Sequence, residues 1–200
     1  ECFTIKEAQE KLSLGMKIII REGSAAKNFE ALIPLIEEYP DHIMFCSDDK
    51  HPDSLVAGHI NSLCARAVEK GYDVFHILRA ACVNPVQHYK LDVGLLNVGD
   101  DADFVLVNNL KDFKALATYI NGMEVAENGT TKIARLPEQG KSVNRFGINS
   151  ISMDKIKLPA NGVYQLPVIG CIDGQLITEK LNLQPAQHGG NYVSDTKNDV

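Results

Sequence analysis

The stretch Ile43-Met44-Phe45-Cys46-Ser47-Asp48-Asp49-Lys50-His51-Pro52 decides how this chain is read. A short run without polar alternation is the pattern of a strand buried on both faces, as in a parallel sheet. The run delivers two adjacent carboxylates and a histidine onto one loop, and Pro52-Asp53-Ser54 then opens a helix. In a (β/α)₈ barrel, side chains just past the last ladder bond leave the packed interior and converge over the axis, so chemistry collects at the carboxyl ends of the strands. Asp48 and Asp49 occupy such a position.

Working outward, Met16 to Arg21 is a second apolar run, ending in the charged and small residues Glu22, Gly23 and Ser24. Ile5, Ala8 and Leu12 share a helical face, which predicts a helix over about 4–14 with Gly15 as its stop. Phe29, Leu32, Ile33, Leu35 and Ile36 predict another over 28–38, broken by Pro40-Asp41. A helix from about 52 to 70 ends at Gly71, and Asp73 caps one that runs to Cys82 and stops at Asn84-Pro85. Two successive strand, loop and helix units predict a parallel α/β region. Ile18, Ile20, Ile43 and Phe45 are assigned to the barrel interior, so in a chain with only two such strands they should lie exposed, be swapped into another copy or be covered by a complementary fragment.

Beyond Pro85 the texture changes. VGLLNVGDDADFVLVNN is short, alternating and glycine-punctuated, as half-buried antiparallel strands are. Asn121-Gly122 suits a type I′ turn between strands at 119–121 and 124–126. Residues 127–150 read as a polar linker or irregular strands. Further strands are predicted at 163–172 and 176–177 around Asp173-Gly174, and the polar tail from about 184 should be mobile. The expected domains are therefore 1–85, 86–150 and 151–200.

Composition narrows the function. A formal charge of −6 leaves no basic footprint for phosphate contacts, so nucleic acid and anionic membranes are excluded as partners, and a small neutral or cationic ligand fits better. The five cysteines are odd in number, widely spaced and without a CxxC pair, which points to reduced thiols in the cytoplasm rather than to disulfides or a zinc knuckle. No apolar run approaches the ~20 residues that cross a bilayer.

Together, REGSA, FCSDDKHPD, NPVQHYKL, VGLLNVGDDADFVLVNNL, YINGMEVAENG and GVYQLPVIGCIDG resemble the bacterial adenine deaminases of the amidohydrolase superfamily. The GDDADFVLV element is common across that superfamily, whereas REGSA with FCSDDKHPD is much more specific to the adenine deaminases. The resemblance implies the last two β/α units of an amidohydrolase (β/α)₈ barrel, then strands of a small β-sandwich domain and the start of a carboxyl-terminal α+β domain. It also implies that this chain, which begins at Glu1 rather than methionine, is an internal piece of a longer enzyme. Glu1-Cys2-Phe3 would continue a His-Glu motif whose histidine lies upstream. The implied reaction is hydrolytic deamination of adenine to hypoxanthine and ammonia, with Mn²⁺ or Fe²⁺, one ion or two, lowering the pKa of a bound water toward ~7. A homo-oligomer is expected, and the missing parts of the same polypeptide are expected partners without which the piece is inactive.

By resemblance, Asp48 ligates metal and carries the proton from the attacking water to the purine. Read alone, an aspartate after a strand is more often a turn former or cap. Asp49 contacts substrate or bonds the amides of its own loop. His51 ligates metal, touches the purine or caps the next helix. Arg21, Glu22 and Ser24 end the neighbouring strand and face the same mouth, where Arg21 and Glu22 recognise adenine or simply brace the loop as an ion pair. Two other readings stay open. Another amidohydrolase, such as a cyclic amidase, would share GDDADFVLV, and a non-catalytic interaction module would need none of these roles.

Overall fold

β1 (Ile18–Arg21) and β2 (Ile43–Cys46) pair side by side and parallel, with Ile18 opposite Ile43 and Arg21 opposite Cys46. The computed structural model describes residues 2–137, 144–162, 164–195 and 197; Glu1, Val163 and part of the predicted linker fall outside the described residues. The chain divides into two compact units, Glu1–Arg135 and Leu136–Val200.

In the first unit, α1 (Ile5–Ser13) precedes β1; the Thr4 hydroxyl accepts from the Glu7 amide at 3.3 Å, and Gly15 leaves the helix at φ +78°. The crossover to β2 is α2 (Phe29–Leu32) and α3 (Leu35–Glu38) rather than the single helix expected. Pro34 sits between them and has no amide to donate, so the helical bonding lapses there. After β2, α4 (Pro52–Ala57) and α5 (Ile60–Glu69) replace one predicted helix, because the backbone leaves the helical region at Gly58 and His59. Asp73 caps α6 (Val74–Leu78) as predicted, accepting from the Phe75 amide at 2.8 Å and the His76 amide at 3.1 Å.

Asn84-Pro85 does not end the helical run. A π-helical segment, Arg79–Val83, leads into α7 (Asn84–Tyr89), where Pro85 occupies a first-turn position that needs no amide. Asn84 is buried and donates to the carbonyls of Pro40 and Ile43, both at 2.7 Å, fixing the start of β2.

The two faces of the parallel pair are the reverse of the expectation. Ile18, Ile20, Ile43 and Phe45 belong to the core that includes Phe29, Leu32, Ile36, Leu63, Ile77 and Ala80, and none is more than 6% exposed. Alternation then puts Ile19, Arg21, Met44 and Cys46 on the other face. The expected exposure of the first four is thus not found: they supply the adhesion between strands and helices, each side chain contributing roughly 1.5–3 kcal/mol of burial.

The rest of the first unit is an antiparallel sheet of β3 (Phe104–Val107), β4 (Ala115–Ile120), β5 (Met123–Glu127) and β6 (Thr130–Thr131), in that order. Asn121 and Gly122 turn between β4 and β5 with φ of 50° and 73°, as the sequence predicts. Phe113, ahead of β4, is 4% exposed and belongs to the same core as the helices.

The second unit is built from β7 (Leu158–Pro159), β8 (Leu166–Cys171), β9 (Thr178–Leu183), β10 (Ala186–His188) and β11 (Asn191–Val193). β8 falls within the strand predicted at 163–172 and pairs antiparallel with β9, which begins after the predicted 176–177 strand. The tail expected to be mobile instead reverses at Gly189-Gly190, and β11 pairs with both β10 and β7. Among the described residues, no helix is long and apolar enough to cross a membrane.

Candidate active site

Asp48 lies two residues past β2 on a left-handed backbone, φ 46°, a conformation that aspartate tolerates better than most residues. Its amide donates to the Cys46 Sγ at 3.1 Å, closing a tight turn at the strand end. The Arg21 Nη1 donates to the Asp48 Oδ2, an ion pair in which the arginine side chain is 14% exposed and the aspartate 33%. Arg21 shares its face with Cys46, so the pair extends the face turned away from the helices. The Arg21 guanidinium carbon also stands 5.8 Å from the centre of the Phe3 ring, within cation–π range.

Asp49 turns elsewhere. Its Oδ1 accepts from the Ser24 amide at 3.2 Å, and the Ser24 hydroxyl in turn accepts from the His51 amide at 2.9 Å. The β1 and β2 loops are therefore laced together by Asp49, Ser24 and the His51 backbone. Gly23 permits this approach, since a Cβ there would sit 2.2 Å from the Asp49 Oδ1. A cleft of about 390 Å³ opens beside this lacing, lined by Glu22, Ser24, Lys27, His51, Asp53 and Ser62 among others.

Glu22 does not pair with Arg21, so the proposed brace is absent: neighbours along a strand point to opposite faces, and each finds a different partner. The Glu22 Oε2 accepts from the Arg66 Nη1 at 2.9 Å, while the Arg66 Nη2 reaches Glu30 at 2.7 Å. The Arg66 guanidinium lies 4.1 Å from the centre of the Phe29 ring. Bonds from Lys70 and Arg66 hold the Glu30 carboxyl below its ordinary range.

The predicted residues are thus sorted into three groups rather than gathered into one: Arg21 with Asp48, Asp49 with Ser24 and His51, and Glu22 with Arg66. Three participants escaped the sequence reading. Arg66 gave no signal beyond its place in a helical pattern. His59 lies between α4 and α5, and its Nε2 is 2.8 Å from the Ser47 Oγ beside Asp48; partial burial first, and then the charge of Lys50, lower its pKa. Asn28 is 3% exposed, and its Oδ1 accepts from the Arg21 amide at 2.7 Å. An asparagine before a helical stripe reads as a cap, yet this side chain makes no cap bond to α2.

Among the described residues, no three His, Cys, Asp or Glu side chains are grouped so as to hold a metal ion. Asp48 could supply one hard oxygen donor, but one carboxylate does not complete a coordination shell. The residues described do not by themselves make a metal centre.

Residues 4–125 match the sequence model of the amidohydrolase family. An adenine deaminase of Methanosarcina mazei is 49% identical over 212 aligned positions, covering all of this chain and 38% of that protein. An adenine deaminase of Salinibacter ruber is 50% identical over 200 positions, again all of this chain and 36% of the relative. This chain therefore spans a little over a third of the length of these curated relatives. Among solved structures, a β-aspartyl dipeptidase from Fervidobacterium islandicum AW-1 superposes with a TM-score of 0.51 at 22% identity, covering 66% of this chain and 37% of that one; the likeness speaks for an α/β fold alone.

Proposed function

The chain belongs to the amidohydrolase family, and from that premise we propose that it is part of an adenine deaminase, converting adenine and water to hypoxanthine and ammonia. The observation that carries this reading is identity near one half along the whole chain to proteins of that activity, including the loop bearing Asp48. In the reaction, the bond between the ring carbon and its amino group breaks, water oxygen takes its place, and the nitrogen leaves as ammonia. Asp48 is the group assigned to accept a proton from water and return it to the purine. Its position supports this: the carboxylate stands at the carboxyl end of a parallel strand, and Arg21 engages one of its oxygens.

Residues 1–85 are assigned to the last two β/α units of a (β/α)₈ barrel, 86–150 to β-sandwich strands, and 151–200 to the start of a carboxyl-terminal domain. The face carrying Ile19, Arg21, Met44 and Cys46 is the one assigned to the barrel interior. Membership of the family implies a divalent metal cofactor; manganese or iron, one ion or two, is our assignment. Asp48 would give it one oxygen, and the remaining donors would come from outside the described residues. Asp49 and Ser24 are assigned to holding the mouth, His51 and Glu22 to its rim near the purine, and the enzyme to the cytoplasm as a homo-oligomer. The isolated piece is assigned no activity.

The test is the full-length protein assayed for ammonia release from adenine beside ring opening of cyclic amides. Turnover of adenine with no ring opening is the expected result; the opposite preference would transfer the chain to the cyclic amidases.

A further inference from the structure

Asn28 makes contacts that no single structural task explains. Its Oδ1 accepts from the Arg21 amide at 2.7 Å, and its own amide returns a bond to the Arg21 carbonyl at 3.1 Å. Its Nδ2 donates to the carbonyl of Ile19 at 3.3 Å and to that of Cys2 at 3.1 Å. Both the oxygen and the nitrogen of one buried side chain are thus spent on two separate segments: the last turn of β1, and the residue just before Phe3. Those two segments are the ones that enclose the Arg21 guanidinium, one carrying it and the other placing the Phe3 ring 5.8 Å from its carbon.

We propose that Asn28 is a positioning residue for Asp48: by fixing Arg21 at its backbone and Phe3 through Cys2, it holds the guanidinium in the one place from which it pairs with the Asp48 carboxylate. The effect on chemistry rests on the deaminase reading above; the mechanical linkage does not. Asp48 lies on a left-handed turn that departs from the end of β2, so the ion pair to Arg21 is a main constraint on where its carboxylate points. An aromatic face and a backbone clamp restrict a long, rotamer-rich side chain, and a restricted partner orients a carboxylate better than a wandering one. Buried polar groups with all bonds made specify a unique geometry for the same reason that an unmade one is costly.

Two substitutions in the full-length enzyme separate this from a role in stability alone. Asn28→Asp keeps the acceptor for the Arg21 amide but turns an oxygen toward the Cys2 and Ile19 carbonyls. Phe3→Leu leaves the clamp and removes the ring. In each, kcat for adenine should fall about tenfold, the size expected when one net hydrogen bond (Asn28→Asp) or one cation–π contact (Phe3→Leu) is lost, while KM moves less than threefold. Amide exchange over 46–49 should quicken by a similar factor, with Ile43 and Met44 unchanged. A kcat within twofold of the unsubstituted enzyme in both variants, corrected for the folded fraction, overturns the proposal even if the melting temperature drops. If the unsubstituted enzyme does not act on adenine, the deaminase reading fails, and exchange alone decides: faster exchange over 46–49 in either variant supports the linkage, and unchanged exchange in both overturns it.

Discussion

Arg21 and Asp48, 27 residues apart in sequence, form an ion pair across the carboxyl ends of two adjacent parallel strands. Parallel register brings the two strand ends level, and the loops that follow bring a guanidinium to a carboxylate.

Removing the guanidinium should be felt at Asp48. Arg21→Met in the full-length enzyme is expected to lower kcat by about 10- to 100-fold, since a charge-assisted hydrogen bond is worth roughly 1.5–3 kcal/mol. Arg21→Lys should recover only part, because an ammonium on a flexible stem lacks the planar fork. Steady-state kinetics on both variants check this, and a fully active Arg21→Met would remove the pair from the mechanism.

Gly23 offers a second entry to the same loops. A methyl group there would meet the Asp49 Oδ1 at 2.2 Å, so Gly23→Ala must push Asp49 off the Ser24 amide. Asp49→Asn keeps an oxygen able to accept that bond. Gly23→Ala should therefore reduce kcat/KM by about 5- to 150-fold, in line with overpacking costs of about 1–3 kcal/mol, while Asp49→Asn stays within about threefold. Equal effects would mean that the charge of Asp49, rather than its bond to the neighbouring loop, is what the site uses.

The packing of α5 makes a chemical prediction. Burial pushes the Cys64 thiol up to about 12, which leaves about one molecule in ten thousand as thiolate at pH 8. Exposed Cys171 should be alkylated by iodoacetamide while Cys64 is spared until the protein unfolds. Peptide mass spectrometry reads the two sites separately, and equal labelling in native protein would contradict the burial of α5 against β2.

The parallel pair and the hairpin turn were legible in the sequence because apolar runs and Asn-Gly carry their own geometry. The facing of Ile18, Ile20, Ile43 and Phe45 was not. A strand buried on both sides shows no alternation, so nothing in the run distinguishes the helix side from the other. Pro85 misled because proline ends a helix only from its interior and is welcome in a first turn. The tail misled through its polarity, since Gly189-Gly190 lets a weakly apolar stretch close a hairpin through backbone bonds. Of the candidate site, Asp48 and Arg21 could be named from their places at the ends of two strands. Their pairing, the diversion of Glu22 to Arg66 and the clamp by Asn28 join separate segments and leave no local signature.

Turnover of adenine by the full-length protein carrying Asp48→Asn tests most directly whether this carboxylate carries the proton. Asparagine tolerates the left-handed backbone at this position and preserves the shape of the side chain, so the fold should survive, and circular dichroism with a melting curve will establish that. Loss of the proton-carrying carboxylate should then lower kcat by ~10²–10⁴. A folded Asp48→Asn enzyme that releases ammonia from adenine within tenfold of the unsubstituted rate would contradict the account.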